Sequence, residues 1–89
     1  MKATKQKLRL ATITILVKDR RSNSVGVNRI LTKNGHIIMA RLGVNVERHC
    51  VSNCLALITV AVEGAAGDIA RIAKELNRLK GISAKDSTM

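Results

Sequence analysis

The stretch VERHCVSNCLAL, residues 46–57, places His49, Cys50 and Cys54 within six positions. Imidazole and thiolate are the ligand types that zinc, nickel and iron take from proteins, and two thiols can also form a redox pair. On an extended strand, Cys50 and Cys54 would stand roughly 13 Å apart at ~3.3 Å per residue. That is beyond the reach of a disulfide or of a shared metal. A turn at Val51-Ser52-Asn53 would close the gap, and His36, His49, Cys50 and Cys54 would then be the candidate metal ligands. Against a metal stands the missing paired C-x-x-C spacing. Cysteine is also common as a small buried side chain. The sequence therefore predicts no bound metal and no cofactor.

Other catalytic patterns are absent from the sequence. It has no nucleophile-elbow, P-loop or dinucleotide fingerprint. Its six acids are scattered, and only Glu47 is close in sequence to a histidine. The expectation is a binding protein and not an enzyme.

The elements that must position these residues follow from the apolar pattern. Residues 7–17, KLRLATITILV, read as a strand rich in β-branched side chains. Arg9, Ala11, Ile13, Ile15 and Val17 point one way, and Leu8, Leu10, Thr12, Thr14 and Leu16 the other. A polar break over 18–24 offers the helix caps Asp19, Ser22, Asn23 and Ser24. A helix then runs to Lys33, with Val27, Ile30 and Leu31 on its inner stripe and Gly26 weakening it. Asn34-Gly35 ends it, with Gly35 suited to a left-handed cap. Residues 36–44 read as a second strand, 45–52 as a polar connection, and 53–62 as a third, nearly continuous apolar strand ended by Glu63-Gly64. A second helix over 67–80 carries Ile69, Ile72, Ala73, Leu76 and Leu79 inward and stops at Gly81. A short last strand runs from Ile82 to Asp86.

This order, β-α-β-β-α-β, is the α+β, ferredoxin-like plan: a four-stranded antiparallel sheet with two helices on one face. One such domain over residues 7–86 is expected, with a disordered basic tail at 1–6 and a second tail at 87–89. Both faces of the first strand are largely apolar, yet the helices cover one side only. Strands that read as continuous apolar runs are normally covered on both faces. The second cover should be another copy of the chain, as a homodimer or tetramer. Leu8, Leu10 and Leu16, with one face of residues 54–62, would form that interface.

Composition sets further bounds. The 89 residues include no Phe, Tyr, Trp or Pro, so the stacking platforms of RNA-recognition sheets are excluded. The net charge is +10 and lopsided. Residues 1–48 hold eleven Lys/Arg against Asp19 and Glu47, whereas residues 49–89 hold five against four acids. A basic half makes DNA a candidate partner, with Lys2, Lys5, Lys7 and Arg9 as an arm. Two cysteines are too few for a secreted disulfide framework, and MKATKQKLRL shows no signal-peptide pattern. The longest apolar run, 55–62, is broken by Thr59 and is too short to span a membrane. A cytoplasmic protein with reduced thiols and no membrane partner is expected.

The stretch VNRILTKNGHIIMARLGV, residues 27–44, resembles the small regulators of the iron-only hydrogenase system, a family described as transcriptional regulators. The shared pattern falls at Val27, Asn28, Leu31, Gly35, Ile37, Ile38, Arg41 and Gly43, followed by an arginine-containing turn at Glu47-Arg48. KELNRLKGISAK, residues 74–85, is similar to the family's closing helix, turn and last strand. The resemblance covers residues 8–86 and implies a transcriptional regulator or ligand-sensing module.

That family is similar to ACT-type regulatory domains, whose ligand loop resembles VKDRRSNSVGVNRIL, residues 17–31; Asp19 fits, while the usual Pro-Gly is absent. The similarity implies a small-molecule effector near Asp19, Arg20, Ser22 and Asn23, with Arg41 able to pair with it. An anionic group would suit the N–H groups of the helix start. The family is also similar to the C-terminal domain of the nickel-responsive regulator. There, Cys54 matches the ligand cysteine and His36 lies near a ligand position. Val46 and Arg48 stand where histidines would be, which argues against nickel.

Overall fold

Alternation along the first strand is realised directly. In the computed structural model, which describes residues 7–47 and 49–89, β1 spans Leu8–Val17 and buries Ala11, Ile13, Ile15 and Val17. The basic tail expected at 1–6, with Lys2 and Lys5, lies outside the described residues, as does Arg48. The order is β1, α1 (Arg20–Lys33), a 3-10 turn (Gly35–Ile37), β2 (Ile38–Asn45), β3 (Ala56–Ala65), α2 (Ala66–Asn77) and β4 (Ile82–Thr88). The strands pair antiparallel in the order β2-β3-β1-β4, which is the expected α+β ferredoxin-like sheet. Val27 and Leu31 of α1 and Ile69, Ile72 and Leu76 of α2 join one cluster with the inward residues of β1, β3 and β4. Both helices therefore cover the same face. Among the described residues no helix is long and apolar enough to cross a membrane.

Several boundaries move, each for a local reason. The first helix starts at Arg20, so Ser22, Asn23 and Ser24 lie inside it instead of before it. Asp19 occupies the capping position in a left-handed conformation (φ 49°) without a side-chain cap, and its carbonyl accepts the Ser22 and Asn23 amides at 3.0 Å. At the other end Asn34 is the cap and is buried. Its amide group donates to Ile30 O (2.8 Å), and its Oδ1 accepts from Arg71 of α2 (3.2 Å). Gly35 opens the 3-10 turn and is not left-handed.

The third strand begins at Ala56, so Cys54 does not open it, and it continues through Glu63 and Gly64 to Ala65. Those two residues resemble a turn in sequence, but Leu10 and Arg9 of β1 supply paired backbone across from them. The last strand extends to Thr88, with Ser87 and Thr88 paired to Thr12 and Ala11. Met89 N–H donates to Leu10 O at 2.9 Å. Ser87 and Thr88 are therefore part of the sheet and not of a tail.

The second helix ends at Asn77, three residues short of the expected end, because Asn77 has another task. β4 is an edge strand, and an edge exposes unpaired backbone groups. The Asn77 side chain accepts the Ala84 N–H (2.8 Å) and donates to Ala84 O (2.9 Å) and to Ala73 O (3.0 Å). One amide thus takes the place of a fifth strand at the buried Ala84. Asn77→Ala strands both groups, at about 1–3 kcal/mol. Thermal unfolding is expected to shift down by roughly 4–24 °C; an unchanged midpoint would refute this role.

Candidate functional site

Two regions carry the residues singled out in the sequence: the connection between β2 and β3, and the uncovered face of the sheet. The connection folds back on the start of α1. Val46 N–H bonds Leu55 O (3.1 Å) and Cys50 N–H bonds Glu47 O (3.0 Å). Glu47 and Asn53 take left-handed conformations (φ 61° and 53°), which Asn tolerates better than most residues. These bends bring Cys50 and Cys54 to a Cα–Cα distance of 5.7 Å, and their sulfurs are joined in a disulfide. The expectation of reduced thiols is thereby corrected. The turn at 51–53 forms, and the extended geometry that kept the sulfurs apart does not apply.

Arg20 joins the connection to the helix. Its backbone N–H donates to Cys54 O (2.8 Å) and its guanidinium to Leu55 O (2.8 Å). Between the two segments lies an open cleft of about 320 Å³ lined by residues 19–21 and 50–54. Two cations, Arg20 and Arg21, line it with one carboxylate, Asp19, so the side-chain charge favours a small anion, while the Arg20, Ser22 and Asn23 amides of the helix start already bond protein carbonyls.

Of the ligand residues inferred from sequence, Asp19 and Arg20 line this cleft, while Ser22, Asn23 and Arg41 do not. Asn23 is engaged elsewhere, its amide donating to Lys18 O at 2.6 Å. Arg41 stands on β2 and donates to Asn28 Oδ1 of α1 at 2.8 Å. Arg21 and residues 51–53 escaped notice as site residues, since only folding brings them beside residue 19.

Among the described residues, no three of His, Cys, Asp or Glu gather as a metal site would require. His36 sits beyond the carboxyl end of α1, whereas the cysteine loop touches its amino end. At 1.5 Å per residue, α1 separates them by roughly 20 Å. His49 is exposed in the loop, and disulfide sulfurs lack the thiolate charge that binds metal.

The second region is the face that the helices leave bare. The register places Leu8, Leu10, Thr12, Thr14 and Leu16 of β1 beside Leu57, Thr59, Ala61 and Glu63 of β3. Ala40, Leu42 and Val44 of β2 extend the same face. Leu8, Leu10, Leu42, Val44 and Leu57 are between 37 and 68 % exposed, and Leu16 is half-buried. Leu42 and Val44 were not singled out in sequence, although their period-two spacing was a visible signal.

The model of the TM1266-like family, described as "Iron-only hydrogenase system regulator, putative", matches residues 9–86. No curated protein matches the chain. Among solved structures, an uncharacterised protein, TM1266 from Thermotoga maritima, is similar with a TM-score of 0.83 and 23% identity, covering 93% of this chain and 99% of that one. An unknown protein from Galdieria sulphuraria is similar at TM-score 0.72 and 13% identity; all of this chain matches 54% of that one. A nitrogen regulatory PII-like protein, CPII from Thiomonas intermedia K12, bound to ADP, AMP and bicarbonate, is similar at TM-score 0.53 and 14% identity over 93% and 96% of the two chains. At these identities the structural likenesses establish the fold.

Proposed function

Because the chain belongs to the TM1266-like family, we propose a regulatory and not a catalytic role, in the iron-only hydrogenase system, exercised by a homo-oligomeric binding module. The observation that carries this reading is the bare sheet face. Its large apolar side chains stand on two neighbouring strand pairs, opposite a face already filled by both helices. Contiguous apolar patches of this kind mark interaction surfaces, and a second copy presents the same patch. Sedimentation velocity tests the assembly. Species heavier than the 9.6 kDa chain are expected, and a single-chain species at every concentration would contradict it.

A small anionic effector fits the cleft between α1 and the disulfide loop. The volume of about 320 Å³ lies at the low end of ligand-pocket sizes, so a compact anion suits it better than a nucleotide. In thermal-shift titrations, inorganic phosphate or a small carboxylate is expected to raise the melting temperature, and Arg21→Ala is expected to abolish the response. No shift with any small anion would leave the protein as a ligand-free interaction module. Transcriptional control would act through the assembled module.

A further inference from the structure

The Cys50–Cys54 link does not serve as a core staple. It closes a loop of sequence separation 4, both cysteines are half-buried, and both line the open cleft instead of joining the apolar cluster. Val51, next to Cys50, is 89 % exposed, and both cysteines line a cleft that opens to solvent. Arg20 and Arg21 share the cleft lining with a single acid, Asp19, a setting that favours the thiolate form. The link is also wired to the helix, since the carbonyls of Cys54 and Leu55 hold the amide and guanidinium of Arg20. The bend next to Cys54 depends on left-handed Asn53, a conformation that closed geometry enforces and an open loop need not keep.

We propose that Cys50 and Cys54 form a thiol–disulfide exchange site whose redox state sets the shape of the cleft at the amino end of α1. The co-substrate class is a dithiol, small-molecule or protein. One of its thiolates attacks a sulfur of the pair, forming a mixed disulfide and releasing one cysteine as a thiolate that takes up a proton. The second thiolate of the dithiol then displaces the other cysteine. Overall, the dithiol loses two electrons and two protons to become a disulfide, and Cys50 and Cys54 gain them as two thiols. Opening the link frees the loop and loosens the grip of Cys54 O on Arg20. This goes beyond the regulatory reading and is independent of self-association.

The test uses the full chain, purified without reductant and compared before and after dithiothreitol. Native thiol titration is expected to find no reactive thiol before reduction and both cysteines after it. Hydrogen exchange at the Arg20 amide and at residues 49–55 is expected to speed up by about tenfold or more. The central amides of β1 and β3 should hold their rates. The Cys50→Ser/Cys54→Ser double variant should reproduce the reduced pattern and ignore the reductant. If that variant does not fold, chemical reduction alone supplies the comparison. Thiols that stay unreactive after native reduction, or equal exchange at Arg20 in both states, would overturn the proposal.

Discussion

Leu10→Glu is expected to turn an assembled protein into single chains. Leu10 stands on the bare face of β1, and an interface there would bury it. The substitution removes roughly 1.5–3 kcal/mol of apolar burial per copy and adds an uncompensated charge in the contact. A two-fold interface contains the change twice, so the loss is at least about 4 kcal/mol, roughly a thousandfold in the dissociation constant. Light scattering should show the variant at the single-chain mass where wild type is heavier. Glu63 lies directly across from position 10, and like charges in that relation also weaken the sheet. Leu42→Glu is the companion test, because its cross-strand partner is Thr59. If both variants stay assembled, contact runs elsewhere, with the outer edge of β2 as the next surface to test.

Gly81→Ala should be among the most destabilising single changes in the chain. Gly81 turns the backbone from α2 into β4 at φ +75°, a left-handed conformation that costs an L side chain about 1–2 kcal/mol. A Cβ there would also lie 2.5 Å from Asn23 Nδ2 and 3.3 Å from Lys18 O. Asn23 cannot move aside without giving up its bond to Lys18 O. We expect a loss of about 3 kcal/mol, or roughly 12–24 °C in melting temperature for a domain of this size. In an Asn23→Ala background the same change should cost less, because the shortest contact is gone while the approach to Lys18 O and the backbone strain remain. A loss below about 1 kcal/mol in the wild-type background would show that the turn can reshape.

Much of this architecture was legible in residue patterns. Alternation in β1 and the 3.6-residue stripe of α2 report which side chains meet the core, and those periods are set by local geometry. The bare face was legible for the same reason, since Leu8, Leu10 and Leu16 alternate with Ile13 and Ile15. Boundaries were harder wherever a distant partner decides them. Glu63 and Gly64 stay in β3 because β1 lies alongside, and α2 stops at Asn77, whose side chain bonds Ala84 at the sheet edge. The cleft was the least legible part. Residues 19–21 and 50–54 come together only after the sheet has formed, and the cysteine separation depends on a turn at 51–53 that residue spacing leaves open and left-handed Asn53 supplies.

Hydroxyl-radical footprinting of the wild-type chain at low and high protein concentration reads the bare face directly. Self-association through that face predicts that oxidation of Leu8, Leu10, Leu42 and Leu57 falls as concentration rises. Val25, 62 % exposed on α1, should be modified at an unchanged rate. If the four leucines are oxidised equally at every concentration, no copy covers them, and the account of a regulatory oligomer built on this face is wrong.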